Sequence, residues 1–216
     1  MRIQHRSGKV WVCNSLALRE LGFKDTELID GLERSSRGLL TGRIVRRDRL
    51  LAERLKHAKA SRRPNITAYS RQLARYGIVG ITDTSASNTT DTLADFQHLS
   101  DGGELLQHFS LMGSDELDSG SLKILLDEDR LPDLANLVGR INQARRKGRN
   151  VAFHCVTHLE LVFALAALAE AAPCEAGFDR IEHGAMVNDE MAHRLADLGL
   201  PVITQPGFLF SKGDQY

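Results

Sequence analysis

The chain has 216 residues, of which 42% are hydrophobic and 26% charged, with 28 Lys and Arg balanced by 28 Asp and Glu. That length can bury one large core or two small ones, and the composition is that of a globular protein rather than a disordered one. The longest apolar run, "LVFALAALAEAA", is interrupted by Glu170 and is too short to cross a bilayer, and "MRIQHRSGKV" lacks the apolar segment of a secretory signal.

Charge is unevenly placed. Residues 1–75 hold 18 Lys and Arg against 7 Asp and Glu, a balance of +11, and the remainder carries −11. The densest basic stretch is "GRIVRRDRLLAERLKHAKASRRP". Residues 34–63 therefore admit two readings, a solvated helix face with a loop or a nucleic-acid-binding patch. No aromatic residue interleaves those charges to stack on bases, which favours the first. Cys13, Cys155 and Cys174 are odd in number and lack metal-ligand spacing, which predicts reduced thiols and a cytoplasmic chain.

In chain order, residues 1–75 read as mostly helical. Asn14 or Ser15 caps "LALRELGF", a second helix covers Asp48 to Lys59, and "ITAYSRQLARYG" forms a third that stops at Gly77. The pattern then changes. Six short apolar runs of strand length come after it: 77–85, 106–113, 121–128, 150–157, 179–185 and 200–206. Helical patterns separate the later ones. "LPDLANLVGRINQARRKG" places Leu134, Leu137, Val138 and Ile141 on one face, "LELVFALAALAEAA" follows the run at 150–157, and Asn188 caps "NDEMAHRLADLG". This gives two domains, 1–75 and 76–216. Strands alternating with helices predict an α/β fold with a parallel sheet, and both a doubly wound sheet and a (β/α) barrel satisfy the pattern. No glycine-rich phosphate loop follows a strand, which disfavours nucleotide binding.

Three residues at or near strand ends stand out as candidate metal ligands: Lys123, His154 and His183. They lie about 30 residues apart, the size of one βα unit. Strand alternation puts Ala152 and His154 on one face, and Ile181 with His183 on one face with Glu182 opposite. A lysine inside "LKILL" is unusual, because burying an ammonium is costly unless it is paired or neutralised. Each residue also has a plainer role: a core or supporting histidine, or a lysine paired with Asp127 or another carboxylate. Asp83 in "TDTS" is a ligand or a turn residue, and His158, four after His154, falls in the next helix rather than sharing one with it.

The ordered set "HRSGKVWVCNSLALRELG", "YGIVGITDTS", "SLKILLDE", "VAFHCVTHLEL", "DRIEHGAMVNDE" and "VITQPGFLFSKGDQY" resembles the amidohydrolase superfamily, in the family 3 branch that includes N-substituted formamide deformylases. The resemblance implies a (β/α)8 TIM-type barrel that hydrolyses C–N bonds of small amide-type substrates with a metal-activated water. It places Lys123 on strand 4, His154 on strand 5 and His183 on strand 6, as ligands of zinc or another divalent metal. A carboxylated Lys123 would bridge two such ions. The family's H-x-H pair of strand 1 occurs nowhere in the chain, and no segment corresponds to strand 8 with its aspartate. The expectation is thus an incomplete barrel, strands 2 to 7, with residues 1–75 as a mostly helical insertion. Such a fragment is expected to be inactive alone, with no catalytic residue assignable, and to self-associate through its exposed strand edges. Two other readings stay open: a non-catalytic remnant or interaction protein that keeps the scaffold, and a nucleic-acid binder built on residues 34–63. The first reading expects neither nucleic acid nor membrane as partner.

Overall fold

A computed structural model of the chain describes residues 1–5, 8–56, 65–174, 177–207 and 210. The chain divides into two compact units, Met1–Pro64 and Asn65–Tyr216.

The first unit is built on a four-stranded antiparallel sheet of β1 (Arg2–Gln4), β2 (Val10–Cys13), β3 (Leu32–Arg34) and β4 (Leu40–Val45), in the order β1-β2-β4-β3. Helices α1 (Ser15–Glu20) and α2 (Asp48–Lys56) accompany it. The helices begin where the sequence predicts them, the expected end of the second at Lys59 lying outside the described residues, and Asn14 caps α1 by accepting from the Ala17 N–H at 2.9 Å. The expectation of a mostly helical region is nonetheless corrected, because four strands lie among them. β4 shows why they are hidden. Its alternation is carried by Leu40, Gly42 and Ile44 facing inward, and the glycine adds no apolar signal. Gly42 has φ +89°, and a Cβ there would sit 2.0 Å from the Cys13 carbonyl oxygen, so no other residue fits. Cys13, Leu21, Phe23, Leu32, Ile44 and Leu51 form the core of this unit.

The second unit begins at α3 (Ile66–Arg75), which moves the expected boundary from 75 to 64. Ser70 explains the move. Buried on α3, its hydroxyl lies 2.8 Å from Gln107 Oε1 and accepts from the Leu106 N–H at 2.8 Å, tying α3 to the chain at Leu106 and Gln107. Next come β5 (Gly80–Asp83), α4 (Thr90–Asp101), β6 (His108–Leu111), β7 (Leu122–Leu125), α5 (Leu134–Arg146), β8 (Val151–Cys155), α6 (His158–Glu170), β9 (Arg180–His183), α7 (Asp189–Asp197) and β10 (Val202–Ile203). Each of the six apolar runs contains a strand. Helix α4 is an addition to the expected elements; Leu93, Phe96 and Leu99 line one side of it but are only half-buried.

β5 pairs with β6 and β7-β8-β9-β10 pair in sequence, all in parallel. A bridge between Gly113 and Leu122 joins the two groups, with the Lys123 N–H donating to the Gly113 carbonyl at 2.9 Å. The strands thus follow chain order without the reversal that marks a doubly wound sheet. One face of β7–β9 carries Leu122, Ile124, Val151, Phe153, Cys155 and Ile181, each at most 2% exposed, in one core with residues of α5, α6 and α7. No helix among the described residues is long and apolar enough to cross a membrane.

Candidate metal centre

The opposite face of the same strands is buried and charged. Strand register sets Lys123 beside Ala152 and Ala152 beside Arg180, then Leu125 beside His154 and His154 beside Glu182. Neighbours in register project to the same side of a parallel sheet. Lys123, His154, Arg180 and Glu182 therefore share one face, away from the helices.

This corrects one expectation. Ile181 and His183 do not share the inner face with Glu182 opposite; Ile181 is fully buried in the helix-side core, and Glu182 faces inward at 4% exposure. Plain alternation would then send His183 toward the helices. It does not, because His183 leaves the strand conformation at φ +74°. The Gly184 N–H donates to the Glu182 carbonyl at 3.1 Å, closing a γ-turn around His183, and to the Cys155 carbonyl at 2.9 Å. The turn brings the His183 ring edge-on to His154, with centroids 4.5 Å apart and planes at 77°. A histidine held at positive φ costs about 1–3 kcal/mol, a strain that clusters at functional positions. Gly184 comes next at φ +55°, and a Cβ there would approach Val202 Cγ1 to 2.7 Å.

The His183 ring has a polar partner. His183 Nδ1 lies 2.7 Å from Gln205 Oε1, just beyond β10. Burial lowers the pKa of His154, and the neighbouring His183 and Lys123 push it the same way, against the carboxylates of Glu160 and Asp127. His154 is thus kept as a neutral imidazole with a lone pair to give.

Lys123 is 5% exposed, and its Nζ stands 3.9 Å from Glu182 Oε1. Arg180 Nε is closer to the same oxygen, at 2.6 Å, and Arg180 Nη2 reaches Met112 Sδ at 3.7 Å. The carboxylate that faces Lys123 is therefore already matched by a guanidinium. Burial lowers the pKa of Lys123; Glu182 opposes this and Arg180 adds to it. The amine is a desolvated cation beside an ion pair that does not need it.

Glu160 is a site residue that the sequence reading misses. It is 5% exposed, and its Oε2 accepts the Val156 and Thr157 N–H groups at 2.6 and 3.1 Å while Oε1 accepts that of Glu128 at 3.3 Å. One carboxylate thereby fastens the segments that leave β7 and β8. The Thr-x-x-Glu capping pattern of Thr157 and Glu160 is the signal that could have found it. Asp83 takes the turn role: its Oδ1 accepts from the Ser85 N–H at 2.8 Å and Asn88 Nδ2 at 3.1 Å. Partial burial would raise its pKa, but those hydrogen bonds outweigh burial and hold it low. His158 opens α6, so it and His154 share no helix.

Residues 1–216 match the model of the amidohydrolase family over their whole extent. The chain belongs to the amidohydrolase family. Two solved structures share its fold. An uncharacterized metal-dependent hydrolase of Pyrococcus furiosus is 21% identical with a TM-score of 0.65, the match covering 96% of this chain and 50% of that one. An uncharacterized metal-dependent hydrolase of Pyrococcus horikoshii OT3 is 18% identical with a TM-score of 0.68, covering 97% and 49%. This amidohydrolase-family chain thus spans about half the length of each. No curated protein matches it.

A divalent metal is what the family implies, and His154, His183 and Lys123 are the candidate donors on this face. Two imidazoles meet edge to face, one of them kept neutral, with a desolvated amine on the same face. Among the described residues, no group of three His, Cys, Asp and Glu side chains is disposed to hold a metal. The basic stretch offers less. Four of its described cations, Arg43, Arg47, Arg49 and Arg54, pair with Glu33, Asp30, Glu53 and Glu27. Residues 57–63 of that stretch lie outside the described residues.

Proposed function

We propose that the chain forms strands 2 to 7 of a (β/α)8 metallohydrolase barrel that cleaves C–N bonds of small amide-type substrates, in the branch of the N-substituted formamide deformylases. The observation that carries this reading is the γ-turn that abandons strand alternation to bring His183 against His154. Backbone strain at a histidine clusters at functional sites, and here it places two imidazoles side by side.

In this reading His154, His183 and Lys123 hold zinc or another divalent ion. The ion supplies Lewis acidity and activates water at neutral pH. The chain's own residues prepare the site. Arg180 neutralises Glu182, so the Lys123 amine can lose its proton without leaving an unpaired carboxylate. The neutral amine adds to carbon dioxide, forming an N–C bond, opening one C=O bond to an oxyanion and releasing the amine proton to solvent. The resulting carbamate would replace a buried cation with an anionic oxygen donor on Lys123, which would help hold the metal. Glu160 fixes the segments after β7 and β8, which keeps the Lys123 and His154 strands in step.

Binding rather than turnover is the decisive readout, because it tests His154, His183 and Lys123 directly. Cobalt(II) titration, followed by its visible absorption, should show binding by the wild type. Either His154→Ala or His183→Ala should weaken it by more than the tenfold to hundredfold, roughly, that a supporting residue is worth. Unchanged cobalt affinity in the double variant would refute the site. A panel of N-formyl and N-acyl amides, assayed with added metal, tests the substrate class.

A further inference from the structure

We infer that Gln205 is a positioning residue that selects the tautomer of His183. This rests on the metal-centre reading for its purpose, though not for its geometry. The Gln205 amide oxygen lies 2.7 Å from His183 Nδ1. An oxygen can only accept there, so Nδ1 carries the proton and the lone pair falls on Nε2. Were the amide nitrogen turned toward the ring, Nδ1 would accept and Nε2 would carry the proton, leaving no lone pair for a metal. The orientation of the Gln205 amide thus favours the His183 tautomer whose Nε2 carries the lone pair.

The placement of Gln205 makes this contact a consequence of the sheet. β10 pairs with β9 in parallel, with Val202 beside Ile181 and Ile203 beside Glu182. The chain beyond β10 therefore runs past the γ-turn that carries His183. Val202 packs where a Cβ on Gly184 would otherwise be, so the turn and the start of this segment fit only with a glycine between them. Gln205 itself is exposed and contributes nothing to the core, so its polar contact with the ring is its evident structural task. Residues that orient a ligating histidine through its second nitrogen typically change metal affinity tenfold to a hundredfold, roughly.

Two readouts test this on the full chain. The first needs no metal. Long-range proton–nitrogen correlation spectra of protein labelled with nitrogen-15 histidine report the tautomer directly. We expect Nδ1–H at His183 in the wild type, a mixed or Nε2–H signature in Gln205→Ala, and Nδ1–H restored in Gln205→Glu, whose carboxylate can only accept. Nε2–H in the wild type, or no change in Gln205→Ala, overturns the inference. The second readout is cobalt(II) affinity, expected to fall roughly tenfold to a hundredfold in Gln205→Ala and to recover in Gln205→Glu. Affinity lost in His154→Ala and His183→Ala but untouched in Gln205→Ala overturns the role of Gln205 and leaves the metal centre standing. No cobalt binding by the wild type overturns the metal centre and the ligating purpose of the tautomer with it. Unchanged far-UV circular dichroism in both Gln205 variants shows that the fold is intact.

Discussion

The two faces of β7, β8 and β9 are made by alternate residues of the same strands and are built on opposite terms. The helix-side face is Leu122, Ile124, Val151, Phe153, Cys155 and Ile181, apolar and closed. The inner face is Lys123, His154, Arg180 and Glu182, with Lys123 and Glu182 almost as deeply buried but charged. The first face gains free energy from every atom it removes from water. The second gives up part of that gain to desolvate charges, and a fold does so where the charges have work to do. The contrast teaches that burial alone does not identify a core.

If the contrast is real, the faces should respond differently to substitution. Phe153→Ala removes a fully buried ring and should destabilise the second unit by about 3–5 kcal/mol, seen as a lower urea midpoint. Glu182→Ala should come next. It leaves Arg180 and Lys123 facing each other without a carboxylate, a loss near the lower end of the roughly 3–5 kcal/mol for breaking a buried pair, since Arg180 is 26% exposed and can turn to water. Lys123→Met should instead be neutral or stabilising by about 1 kcal/mol, because Glu182 keeps Arg180. A large loss in Lys123→Met would show that the lysine is structural.

Gly184→Ala should cost about 1–2 kcal/mol for the left-handed backbone, plus the displacement of Val202. It should also shift the His183 ring resonances while leaving those of the helix-side core in place. The smallest effect at neutral pH belongs to Cys155, whose thiol burial pushes up to about 12. A raised acid keeps its contribution below its unfolded pKa and loses it as pH climbs toward the folded value. The second unit should therefore weaken from about pH 9 upward. Cys155→Ala should start lower and fall less steeply over that range, which unfolding midpoints at pH 7, 9 and 10 would check.

Much of this is legible in the chain of letters. The six apolar runs, the caps at Asn14 and Asn188 and the stop at Gly77 depend on neighbours within a few residues, and local preferences survive in any fold that uses them. The histidines and Lys123 stand out because their types conflict with the apolar runs that hold them. The strands of the first unit are lost because their apolar pattern is weak: β1 is exposed throughout and the inward Gly42 of β4 adds no apolar signal. Helix α4 is missed because its apolar residues are only half-buried. What local pattern cannot supply is direction. Alternation predicts the wrong side for Glu182 and the right neighbour for His183 by the wrong route. A single backbone angle at His183, imposed by hydrogen bonds from Gly184 to Glu182 and to Cys155 on the neighbouring strand, reverses one side chain. Contacts such as Lys123 with Glu182, and Gln205 with His183, join residues far apart in the chain. Their energies arise only once the sheet has set the register, so no window of sequence contains them.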